Sequence, residues 1–413
     1  MNKSSYIIGN GKQFALNGKP YYVVGANLWY GMYLGATESG KIRLRQELDL
    51  LQSIGINNLR IMGAVEQSEL THAIKPGNQK IPGEYNESLL QGLDFLLAEM
   101  QLRGIYAVIY LTNYWDWSGG MAQYVAWQNQ QPLVHPDQVP DYRDFMRYSA
   151  SFYSDRGAQQ DYQRFIKDIL HRKNSYTGVV YKEDPAIMAW ELANEPRPHP
   201  DGNQDPKKLN DFYNWIDQSA AYIKSFDSFH LVTTGSEGTK GCLENEECFI
   251  HAHSSKHIDY ITIHLWPRNW GWWKPDRMEE TLKYSQQEAV KYIDQQLRLT
   301  RYLNKPMVLE EFGFDRDHGA CSPDSPVTAR NRFYQTVFNK VEQIAVAGGG
   351  LVGTNFWTWG GIGRTPRPDY LWQPGDQYLG DPISEPQGRN SVFNTDIDTL
   401  QIIQNHTRRL YTI

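Results

Sequence analysis

A chain of 413 residues, 40% hydrophobic and 21% charged, holds enough apolar material for a large core and is neither disordered nor low-complexity. Lys and Arg number 41 against 47 Asp and Glu, for a net charge of −6, and no basic block exists to neutralise phosphates, so nucleic-acid binding is disfavoured. Thirteen Trp in a hydrophilic chain call for a use, either as core filling or as flat apolar faces that stack on sugar rings.

The chain opens on MNKSSYIIGNG, without the apolar stretch of roughly 7–15 residues that a signal peptide needs. As written it reads as cytoplasmic, and as secreted or periplasmic if it is a trimmed form. No run of about 18 apolar residues occurs, so no membrane span is expected. Asn10-Gly11 and Asn17-Gly18 predict a hairpin within residues 1–20 that caps a barrel floor. Eight short β-rich runs follow, at 21–26, 58–62, 106–111, 187–192, 231–234, 260–264, 307–310 and 351–356. Helical patterns lie between them at 41–54, 88–103, 159–172, 210–226, 288–303 and 329–347, two of them stopped by Gly55 and Gly104. Strand followed by helix, repeated without a linker or internal repeat, predicts one α/β domain over 1–413: a (β/α)8 TIM barrel with extended loops at the carboxyl ends of its strands.

Two inserts follow strand ends, where such barrels place their chemistry. Residues 113–158 carry Trp115, Trp117 and Trp127, and 266–274 carry Trp266, Trp270, Trp272 and Trp273, which favours the sugar-stacking use. Cys242, Cys248 and Cys321 are too few for a disulfide framework and lack metal spacing; a local Cys242–Cys248 bridge and three free thiols both fit. No spaced ligand set for a metal stands out, no cofactor is expected, and no feature fixes an oligomeric state.

The sharpest local signals end the fourth and seventh runs. Trp190-Glu191-Leu192-Ala193-Asn194-Glu195-Pro196 puts Asn194 and Glu195 at the barrel mouth, because the Pro stops the strand. Glu310-Glu311-Phe312-Gly313 follows an apolar Met307-Val308-Leu309, and a carboxylate ending a buried strand must be paired or functional. Two such ends facing one another can hold two carboxyls across a glycosidic bond, at the roughly 5–5.5 Å that retaining glycosidases require.

With these motifs the chain resembles glycoside hydrolase family 5, most closely its mannan-degrading subfamily, from Gly25-Ala26-Asn27 to Trp357-Thr358-Trp359. The resemblance implies Glu195 as acid/base and Glu311 as nucleophile, with Glu310 pointing the other way. It further implies that Asn194 holds the sugar 2-hydroxyl, that Arg60 pairs with the nucleophile, that His264 is the active-site histidine and that Trp359 is the platform for the sugar being cleaved. Arg197, after Asn194-Glu195-Pro196, and Trp115, in Asn113-Tyr114-Trp115-Asp116, match the mannan-degrading pattern. His264-Leu265-Trp266 departs from the family's His-x-Tyr, so Trp266 stands where a tyrosine usually orients the nucleophile. Trp266, Trp270 and Trp272 then wall a pocket for single mannosyl units. The expected substrate is mannan or manno-oligosaccharide, cut from chain ends; an endo-mannanase, an endoglucanase of the same family and a non-catalytic sugar-binding barrel are the alternatives.

Overall fold

The computed structural model describes residues 5–129 and 132–413; the first four residues of the expected hairpin segment lie outside them. Eight parallel strands appear where the β-rich runs stand: β1 (Val23–Asn27), β2 (Asn58–Met62), β3 (Tyr106–Tyr110), β4 (Ile187–Glu191), β5 (Leu231–Thr233), β6 (Ile261–Leu265), β7 (Met307–Phe312) and β8 (Leu351–Phe356). They pair in the order β5-β4-β3-β2-β1-β8-β7-β6. Across the remaining seam no ladder forms, but Asp259 N donates to Val232 O at 2.8 Å and His264 N to Glu237 O at 3.2 Å. The sheet is therefore a nearly closed TIM barrel.

The helices cover its outer face. Helix Glu38–Ser53 begins at Thr37, whose side chain accepts from Gly40 N, and buries Leu44, Leu48 and Leu51 on one stripe. It ends before Gly55, whose φ of +86° is the left-handed conformation such a stop requires. Helix Met278–Thr300 starts ten residues before its expected position, and among the described residues five further α-helices, Gly31–Gly35, Gly120–Asn129, Tyr142–Ala150, Glu246–Ala252 and Ile397–Leu410, stand where none was expected. The N-terminal segment forms three short antiparallel strands, Ile8–Asn10, Gln13–Leu16 and Lys19–Tyr21, turning at the two Asn-Gly pairs. From it, Ile7, Phe14 and Tyr21 pack with Val108, Met188, Leu231, Val308 and Val352 in one cluster of the barrel interior. Among the described residues no helix is long and apolar enough to cross a membrane. Cys242, Cys248 and Cys321 are free thiols.

Candidate active site

After Glu191 the chain leaves β4 and is strapped between its neighbours. Asn194 N donates to Thr112 O at 2.8 Å, and Glu195 N to Gly235 O at 3.0 Å. Glu195 takes φ of +48°, a left-handed conformation that costs a non-glycine residue on the order of 1 kcal/mol and is typical of functional sites. Gly235 makes the tight approach possible: a Cβ there would sit 1.9 Å from Ala193 O and 2.3 Å from Glu191 Oε1.

At the end of β7, strict alternation fails. Pairing with β6 runs Ile263 to Leu309 and then His264 to Glu311, so the register skips Glu310. Such a bulge re-aims side chains, and it turns Glu310 and Glu311 to the same interior. Glu310 Oε2 lies 3.6 Å from Arg60 Nε and 4.0 Å from His264 Nε2, while Phe312 faces outward onto Tyr334 and Phe338. The expectation that Glu310 points away from Glu311 is therefore corrected.

Arg60, wholly buried on β2, is the hub. Its Nε and Nη2 fork onto Glu191 at 2.9 and 2.6 Å, and Nη2 also reaches Asn194 Oδ1 at 2.7 Å. Nη1 bonds Asn27 Oδ1 at 3.1 Å and Glu311 Oε1 at short range. The expected Arg60–Glu311 pair is present, but the two-pronged bond belongs to Glu191. Asn194 Nδ2 donates to Asn113 Oδ1 at 3.0 Å, which fixes its amide plane.

Glu195 is met by three ring nitrogens. Trp115 Nε1 donates to its Oε2 at 2.6 Å, Trp266 Nε1 to its Oε1 at 3.1 Å, and His264 Nδ1 stands 2.7 Å from the same Oε1. Trp266, in the position of the usual tyrosine, thus serves Glu195 rather than Glu311. Arg197 stacks 4.9 Å over the Trp115 ring and forks onto Glu237 at 2.5 and 2.7 Å. Burial pushes the Glu195 carboxyl up from its ordinary range, with Arg197 and Trp115 pulling the other way. Burial also pushes Glu311 up, against Arg60 and with Glu195 adding to the rise. His264, buried beside Arg60, is driven down to about 3 and is neutral. Glu191 and Glu237 are not among the residues the motifs point to; their signal is a buried carboxylate facing a buried guanidinium.

Glu195, His264 and Glu311 each offer an atom within 4.8 Å of the others, the one such His/Cys/Asp/Glu group among the described residues. Hydrogen bonds and Arg60 already span the trio, which makes it a preassembled carboxyl pair rather than a cation cage.

The pair sits in a cavity of about 550 Å³, within the usual range for small-molecule sites. Trp115, Trp117, Trp266, Trp270, Trp273 and Trp357 line it, so six of the thirteen Trp face the cleft and the surplus serves core and cleft alike. Two aromatic expectations are corrected. Trp359 is fully buried, its Nε1 bonded to Glu47 Oε2 at 2.8 Å, and Trp357 takes the place beside Glu311 instead. Trp272 lies behind the lining, edge-on to Trp270 at 5.0 Å and to Tyr292 at 6.3 Å. The segment after β8 also supplies Pro382, Ser384, Glu385, Arg389 and Asn390 to the lining. Buried Asp381 holds that wall by accepting from Gly388 N, Asn390 N and Ser391 Oγ at 2.9, 2.8 and 2.6 Å. Its sequence signal is a Pro-, Gly- and Asp-rich stretch far longer than an ordinary connection.

A family model described as "GH family 5 beta-mannosidase-like" matches residues 4–413. Among curated proteins, mannan endo-1,4-beta-mannosidase 4 of Solanum lycopersicum is 30% identical over 370 residues, covering 86% of this chain and 84% of its own. Mannan endo-1,4-beta-mannosidase 1 of Arabidopsis thaliana is 31% identical, covering 86% and 82%. Among solved structures, the glycoside hydrolase family 5 mannosidase from Rhizomucor miehei superposes with a TM-score of 0.90 at 33% identity, covering 100% of this chain and 99% of that one. An endo-1,4-beta-mannanase from the same fungus shares the fold, with a TM-score of 0.71 at 23% identity over 99% and 100%.

Proposed function

The chain belongs to glycoside hydrolase family 5, in its β-mannosidase-like branch, and from that premise we propose that it cleaves β-1,4-mannosidic bonds with retention, removing single mannosyl units from chain ends. The observation that carries the reading is the approach of a Glu195 oxygen and a Glu311 oxygen to within 4.8 Å, which suits the close spacing of a retaining pair.

Charge accounting supports the roles. Arg60 and Arg197 are each forked onto one carboxylate, Glu191 and Glu237. Of Glu195 and Glu311, only Glu311 receives a guanidinium N–H, so the negative charge rests on Glu311 and the proton on Glu195. In the first step a Glu311 oxygen attacks the anomeric carbon while Glu195 gives its proton to the glycosidic oxygen. The C–O bond to the departing sugar breaks and a glycosyl ester forms. Glu195, now a carboxylate, then takes a proton from water as the water oxygen attacks the same carbon, releasing Glu311 and mannose with its original configuration.

Two observations support end-on action: the segment from Pro382 to Asn390 that lines the cavity together with the tryptophan loop, and a likeness to a mannosidase fold stronger than that to an endo-mannanase. The endo reading draws on the curated relatives, whose names describe mid-chain cleavage. Timed product analysis on mannopentaose, mannan and cellopentaose separates them. Mannose alone at the earliest points is the expected result; mixed oligosaccharides mean endo action, and cleavage of cellopentaose overturns mannan selectivity.

A further inference from the structure

Behind the carboxyl pair lies a third acid that the reaction does not use. Glu310 is 1% exposed. Its charged and titratable neighbours are Arg60 on β2, Glu191 on β4, Tyr260 and His264 at β6, and Glu311 beside it; the adjoining β8, Leu351–Phe356, carries no titratable side chain. Tyr260 OH lies 3.5 Å from Glu310 Oε1. Its Oε2 has no hydrogen-bond partner, and neither does His264 Nε2. These two buried orphans face one another across 4.0 Å, about 1 Å beyond bonding distance; the other donor near Glu310 Oε2, Arg60 Nε at 3.6 Å, is already committed to Glu191.

We propose that Glu310 is a positioning residue: a neutral acid whose Oε2 accepts from His264 Nε2–H, leaving His264 Nδ1 bare to accept the acid proton of Glu195 in the unliganded enzyme. The inference rests on the reading of Glu195 as acid/base. The opposite tautomer would place an N–H at Nδ1. With Trp115 and Trp266 already donating to Glu195, that third donor would favour its ionised form, beside an ionised Glu311 and within reach of Glu237. Two ionised carboxylates side by side in a dry site, only Glu311 of them bonded to a guanidinium, are disfavoured. Burial, and then Glu191, hold the Glu310 carboxyl far above its ordinary range, in keeping with a neutral group. With its proton on Oε1, Oε2 is free to accept. The bulge in β7 is what places this acid here, since regular alternation could present only one of Glu310 and Glu311 to the interior.

The test pairs 15N NMR of the histidine rings with the pH dependence of kcat/KM on mannobiose. Wild type should show His264 with a bare Nδ1 and a protonated Nε2. In Glu310→Gln the amide oxygen replaces Oε2 and its NH2 replaces the acid proton, so both the tautomer and the basic limb should match wild type. Glu310→Leu removes the acceptor; His264 can then carry its proton on Nδ1, and the basic limb should move down by about one pH unit. A protonated Nδ1 in wild type, or a Glu310→Gln limb displaced by about one pH unit from wild type, overturns the proposal, and neither outcome depends on whether the leucine variant folds. Glu195→Gln, assayed on an activated aryl mannoside, keeps the two readings apart. A basic limb that survives there sinks the acid/base assignment, whereas the tautomer is read without turnover.

Discussion

Replacing Trp115 with Phe isolates one hydrogen bond at the acid/base. The ring that stacks under Arg197 stays, but the Nε1–H that donates to Glu195 Oε2 at 2.6 Å is lost. A bond to a charged acceptor contributes about 1.5–3 kcal/mol. Trp115 is only partly buried, so water replaces some of that, leaving about 1.4 kcal/mol, or one pKa unit. The donor favours ionised Glu195, so its loss raises the pKa: the acid stays protonated to higher pH. The basic limb of kcat/KM for mannobiose should rise by about one unit, with little change in melting temperature. A limb that stays in place or moves down would refute Glu195 as the group whose proton the reaction uses.

Glu311→Ala and Glu195→Ala should each abolish most turnover of manno-oligosaccharides while leaving the circular dichroism spectrum unchanged. On a dinitrophenyl mannoside, Glu195→Ala should keep a fast first step because the leaving group needs no acid, and equal loss in both would reverse or refute the roles. Trp270→Ala removes a ring that faces the cleft, and at about 1 kcal/mol of stacking the KM for mannobiose should rise roughly fivefold; Trp272→Ala, behind the lining, should lower the melting temperature and leave KM alone. Burial alone would raise Asp227, yet His230 Nδ1 and Trp190 Nε1, at 2.6 and 2.7 Å, hold it below the ordinary range. Its stabilisation is therefore complete above an unfolded pKa of about 3.9 and lost as pH falls through the lower folded value. Asp227→Asn should be less stable at neutral pH and show a shallower acid limb in urea titrations.

The strand runs were legible because a buried parallel strand must be apolar and β-rich, and two of the helices between them stop at glycines that take a left-handed turn. Glu195 and Glu311 were legible because few buried strands end in carboxylates. What escaped has a common cause: it depends on contacts far apart in sequence or on broken periodicity. Glu310 turns inward because β7 bulges, and a period-two rule cannot anticipate that. Glu191 looks like one more strand residue until Arg60, 131 positions away, forks onto it. In Trp357-Thr358-Trp359 two indoles compete for one place, and only Glu47 on a distant helix, bonded to Trp359, decides which one faces the cleft. Helix Ile397–Leu410 is hidden by its mixed Ile and Gln pattern, and its anchor is the stacking of His406 on Phe338 at 4.1 Å.

The most direct test of the double displacement is to trap its intermediate. A 2-deoxy-2-fluoro-β-mannosyl fluoride slows both steps but the second more, so the glycosyl ester should accumulate. Intact mass should then rise by one fluoromannosyl unit, and peptide mapping should place that unit on Glu311. Turnover without any adduct, or an adduct on Glu195 or Glu310, would contradict the account.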